Sequence, residues 1–127
     1  MSSPYVRALK WPVIAWIVID VFVYVVSFVP GVLDMMTPPV FAALIAAVGA
    51  WAGYRTVQAT GSAVAAVIAG IVVGLVCGAG DLVIFGMLRG MGTQAVLPEA
   101  VLDFTLNLGG AIVGGWFLYS GMMMESR

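Results

Sequence analysis

Residues 63–88 read AVAAVIAGIVVGLVCGAGDLVIFGML, and Asp81 is the only charged residue in the run. A helix of about 20 mostly apolar residues spans the hydrocarbon of a bilayer. This stretch has the length and the composition of such a span, so its solvent is lipid. A carboxylate at the centre of a span costs about 3 kcal/mol on insertion scales unless it is paired, protonated or facing water. Asp81 is therefore the first residue for which a functional reason is sought.

Three further runs of the same kind surround it. They cover residues 11–30, 38–55 and 98–121, separated by short segments carrying Pro30, Gly31, Gly61, Gly90 and Gly92. The 127-residue chain is 63% hydrophobic and 9% charged, against about 25% charged in soluble domains. The expected architecture is an all-α integral membrane protein: one transmembrane domain over residues 1–127, with four transmembrane helices. Arg7 and Lys10 precede the first run as in a signal peptide. That run is longer than a signal core and ends without a small-x-small cleavage pattern, so it reads as an uncleaved span.

Lysine and arginine give the orientation. Arg7, Lys10, Arg55 and Arg127 fall on one side, and Arg89 falls on the other with Asp34 and Glu99. The expectation is a multi-pass protein of the cell membrane with both termini in the cytoplasm. Trp11, Trp51, Tyr54, Trp116 and Tyr119 then form an aromatic belt at the cytoplasmic interface.

The chain also shows a possible duplication. Asp20-Val-Phe-Val-Tyr24 resembles Asp81-Leu-Val-Ile-Phe85, and Val48-Gly-Ala-Trp51-Ala-Gly-Tyr54 resembles Val113-Gly-Gly-Trp116-Phe-Leu-Tyr119. Two tandem hairpins, about 11–55 and 63–121, would be related by a pseudo-twofold along the membrane normal.

Helical spacing sorts the faces. Ser62, Ala66, Gly70, Gly74 and Gly78 recur every four residues, a small-xxx-small ridge suited to close helix packing. Gly110 and Gly114 repeat the theme in the fourth span. Such a ridge serves tight packing within the chain or a contact between copies. Trp16, Asp20, Tyr24 and Ser27 share a stripe on the first span, and Asp103 and Asn107 share one with Gly110 and Gly114 on the fourth. The polar stripes should turn inward and build a cleft open to the non-cytoplasmic side. Asp103 is expected to be shallow, Asp81 intermediate, and Asp20 and Asn107 deeper. The ion or substrate pathway is thus assigned to Asp20, Tyr24, Asp81, Asp103 and Asn107. Three of them have a structural alternative, and Asp20, with no basic residue near it on its own helix, is the hardest to explain structurally. Asp103 could favour a helix dipole, Asp81 could pair with Arg89, and Asn107 could be interhelical glue.

The chemistry available is narrow. There is no histidine and one cysteine. Cys77 permits no intrachain disulfide, is taken to exclude a thiolate metal site within one chain, and reads as packing. No metal, cofactor or catalytic group is expected, and the net charge of −1 without a basic cluster argues against nucleic acid. Intramembrane carboxylates suit proton or cation handling, so the leading expectation is a transporter or channel component for protons, cations or cationic solutes. The alternative is a non-catalytic accessory subunit of a larger membrane complex. Either implies the lipid bilayer and a homo-oligomer or membrane protein partner.

Overall fold

The structure, a computed structural model, describes residues 3–31 and 38–125. Asp34 and Arg127, which the orientation argument used, lie outside the described residues. The helices are α1 (Pro4–Val26), α2 (Pro38–Thr60), α3 (Val64–Asp81, continuing as a π-helix over Leu82–Leu88) and α4 (Thr93–Glu125). All four are long and apolar enough to cross a membrane.

The helix ends extend beyond the apolar runs for local reasons. Ser3 caps α1 by accepting a 3.2 Å hydrogen bond from the Val6 N–H, and Pro4 follows at the first helical position, where a missing N–H costs nothing. Helix α1 thus starts seven residues before Trp11. Helix α2 runs on to Thr60, so Arg55 is helical. It stops at Gly61, whose φ of +72° and 2.7 Å bond from N–H to the Val57 carbonyl make a left-handed cap. Helix α4 opens at Thr93, leaving Pro98 inside it. At 1.5 Å per residue its 33 residues reach about 50 Å, well past a hydrocarbon core of about 30 Å.

Pro12, inside α1, has no N–H to give the Ala8 carbonyl. The Arg55 Nε supplies the missing donor at 3.1 Å, tying α2 to α1. The Trp116 Nε1 donates to the Ala63 carbonyl at 3.0 Å and ties α4 to α3 at this same end of the bundle. Arg89 lies at the other end, where its Nε donates to the Ser27 Oγ at 3.1 Å.

Small residues set the packing. A Cβ on Gly49 would come within 2.5 Å of the Asn107 carbonyl oxygen, and one on Gly110 would meet the Ala46 carbonyl. Gly53 and Gly114 abut the backbones of Ala111 and Ala50 in the same way. Helices α2 and α4 therefore run side by side, in parallel, with almost nothing between their backbones. The α3 ridge packs on α4: Gly70 against Leu108, Gly74 against the Phe104 ring, Gly78 against Ala100. Of the two uses open to that ridge, it serves contact within the chain. Val73, next to Gly74 but off the ridge, is fully buried in a core with Trp16, Ile45, Val48 and Ala69. The reason is that α3 packs on α1 and α2 as well as on α4, so its buried arc is wider than the glycine ridge.

Candidate functional site

Three helices each bring two residues one turn apart to the same level. Helix α1 brings Trp16 and Asp20, α3 brings Cys77 and Asp81, and α4 brings Asp103 and Asn107. An i, i+4 pair lies on one face of a helix, and here all three faces converge. Asp20, Cys77, Asp81 and Asp103 line a cavity of about 420 Å³ together with Trp16, Phe41, Phe85 and Leu106. Met91 and Glu99, both exposed, also border it. They mark its mouth at the end of the bundle where α3 gives way to α4.

The floor is closed by one polar chain. The Trp16 Nε1 donates to the Asn107 Oδ1 at 3.1 Å, and the Asn107 Nδ2 donates to the Asp103 carbonyl at 2.9 Å. Asn107 is fully buried and both ends of its amide are used, which matches the part of interhelical glue. It fixes α1 to α4 beneath the acids.

The acids are arranged otherwise. Asp20 is 6% exposed and has no hydrogen-bond or ion-pair partner among the described residues. Its carboxylate lies against Gly80, where any side chain would collide with it. The Asp81 Oδ2 is wholly buried and likewise unpartnered. One ligand atom each from Cys77, Asp81 and Asp103 lies within 4.8 Å of the other two. A buried polar atom without a partner costs about 1–3 kcal/mol, more when charged, so Asp20 and Asp81 mark a place where stability has been given up.

Several expectations need correction. Asp103 is not shallow: α4 begins ten residues before it, which removes the helix-dipole account and puts Asp103 level with Asp81. Asp20 is at that level too, beside Gly80. Asp81 does not pair with Arg89. The arginine bonds to the Ser27 hydroxyl and carbonyl and covers the Phe28 ring at 4.4 Å. Tyr24 does not line the cavity; it packs edge-on against Phe28 at 5.1 Å, beside that arginine. The glycines at 70, 74, 78, 110 and 114 pack helices, as their spacing indicates. Cys77 packs in the core as expected, and its sulfur also lies within 4.8 Å of a carboxylate oxygen of Asp81 and of Asp103.

Two features of the site were not legible beforehand. Gly80 falls off the four-residue ridge, and only the approach of α1 shows why it is small. The change from α to π begins directly after Asp81. Such widened turns occur often at functional sites, and no residue type announces one. No family, curated protein or solved structure matches the chain.

Proposed function

We propose that this chain is a multi-pass membrane protein that acts as a transporter or channel component for protons, cations or cationic solutes. The observation that carries the reading is Asp20, a deeply buried acid without a partner, facing a cavity that Asp81 and Asp103 share. A bilayer tolerates such a group where it faces water or exchanges a positive charge. A proton held among Asp20, Asp81 and Asp103 and displaced by an entering cation is the simplest cycle these groups support.

The accessory-subunit reading draws less support. It favoured an α3 ridge free to face a partner, and that ridge is occupied by α4. A catalytic role is not proposed: the cavity's carboxylates could act as acid and base, but the chain has no histidine and nothing else in the cavity points to a reaction.

Orientation and assembly belong to the same proposal. Arg7, Lys10 and Arg55 share one end of the bundle, and by the positive-inside rule that end is cytoplasmic. The cavity then opens outward. It reaches only one end of the bundle, so passage needs a conformational change or neighbouring copies, and a homo-oligomer or membrane partner is proposed on that ground.

A duplication is also part of the reading. Two contacts between α2 and α4, Gly49 with Asn107 and Ala46 with Gly110, interchange when 61 is added to one number and taken from the other. Gly53 with Ala111 and Ala50 with Gly114 do the same. The spacing of Asp20 and Asp81 is also 61. Helices α1 and α3 depart from such symmetry, since α3 packs closely on both α2 and α4 while α1 packs on α2 and α3.

The test is flux. The purified chain in liposomes should carry a proton or cation current that Asp20→Asn abolishes while the protein stays folded. A stable, fully active Asp20→Asn variant would sink the transport reading.

A further inference from the structure

Cys77 and Asp81 lie one turn apart on α3, and Asp103 faces them from α4, with one ligand atom from each within 4.8 Å of the others. Three atoms at the limit of that spacing would hold a central ion about 2.8 Å from each. A shift of about 0.5–0.8 Å per atom brings them to typical Zn–S and Zn–O lengths of about 2.3 and 2.0–2.2 Å. The donor set is specific in kind: one soft sulfur and two hard carboxylates, which together suit a borderline divalent metal better than Mg²⁺ or Ca²⁺.

Proximity of acids does not make a site, and here a separate observation points to a ligand. Asp20 belongs to another helix, is 6% exposed, has no partner among the described residues, and faces the same cavity. The Asp81 Oδ2 is also fully buried without a partner. A proton shared between Asp81 and Asp103 would account for one carboxyl contact. It would not account for the sulfur beside them, nor for the third acid.

We propose that Cys77, Asp81 and Asp103 form the inner ligands of a site for one divalent transition-metal ion such as Zn²⁺, at the inner end of the cavity. Asp20 faces the same cavity from α1 as an acid outside the ligand set, and the ion enters past Glu99 and Met91. The proposal rests on the reading of the cavity as a cation pathway and narrows its cargo. Coordination requires the thiolate, so binding releases the Cys77 proton.

The experiment uses the full chain in lipid nanodiscs with Co²⁺ as the probe. Because Cys77 is the only cysteine, any sulfur-to-cobalt charge-transfer band reports this residue without a variant. The expected result is a band that saturates at one equivalent of Co²⁺, is bleached by Zn²⁺, and resists a large excess of Mg²⁺. Cys77→Ser should remove the band, and Asp103→Asn should weaken Co²⁺ binding by at least about tenfold, each with an unchanged circular dichroism spectrum. Absence of the band in the unaltered protein overturns the site, as does a band that Asp103→Asn leaves at full affinity. Flux is measured separately on liposomes. Binding without flux of Zn²⁺, protons or other cations upholds the site and removes the transport reading, whereas flux without the band overturns the site and leaves transport standing.

Discussion

The Asp20 carboxylate occupies the space that a side chain on residue 80 would fill. An acid on α1 and an absent side chain on α3 thus form one unit, although 60 residues separate them. Alanine is the better helix former by about 1 kcal/mol, so Gly80→Ala would stabilise an isolated α3. Here the new methyl meets the carboxylate, and overpacking of this kind costs about 1–3 kcal/mol. The aspartate is short and its end can turn, which places the cost near the lower figure. We expect Gly80→Ala to be neutral or destabilising in the native background and stabilising in Asp20→Ala, a coupling of about 1 kcal/mol. Thermal unfolding of the four proteins in detergent measures it, and additive effects would show that the contact does not form.

The seam between α2 and α4 offers a like-for-like comparison. At Gly53 a Cβ would strike the Ala111 backbone, which cannot move aside, whereas at Gly109 it would meet nothing within 4 Å. Gly53→Ala should lower stability by about 1–3 kcal/mol, and Gly109→Ala should be neutral or slightly stabilising. On α3, Gly74→Leu should be severe and Leu75→Ala mild, because Leu75 is 59% exposed. Unfolding midpoints in a single detergent give the ranking; equal losses at positions 53 and 109 would contradict the close approach.

Pro12 and Arg55 should be coupled through a carbonyl that belongs to neither. Arg55→Ala leaves the Ala8 oxygen without a donor, at a cost of about 1 kcal/mol. Pro12→Ala restores the helical N–H to that oxygen, so Arg55→Ala should cost less in its presence. A double-mutant cycle that shows no coupling would mean that Arg55 is held by something else.

For the acids, Asp20→Asn and Asp81→Asn should each abolish flux in liposomes while leaving the helical content intact. The double variant should be no worse than either single one, because both remove the same pathway. Asp81→Asn should leave Arg89 in place, since that arginine is anchored on Ser27 and Phe28. Loss of folding in Asp81→Asn together with native flux in Asp20→Asn would assign both acids to structure alone.

Reporter fusions after Arg127 and at Gly61 should read cytoplasmic, and fusions near Asp34 and Gly92 should read external. A single reversed signal would break the four-span order.

The number and rough extent of the spans were legible in the sequence because hydrocarbon imposes one requirement on every residue of a span. The glycine spacing of α3 was legible for a related reason: a backbone approaches closely only where side chains are small along one face. Asp20, Asp81 and Asp103 also stood out from the sequence, since each is costly in lipid. Their depth did not. It depends on where α4 begins, and the apolar run hid a start five residues before Pro98. The sequence paired Asp81 with Arg89 because the two are near in number, but the turn into a π-helix and the nearness of Ser27 decide that partner. Cys77 and Gly80 carried no signal of their own. Both gain their meaning from residues on other helices, and only the packing of α1 and α4 against α3 brings those residues within reach.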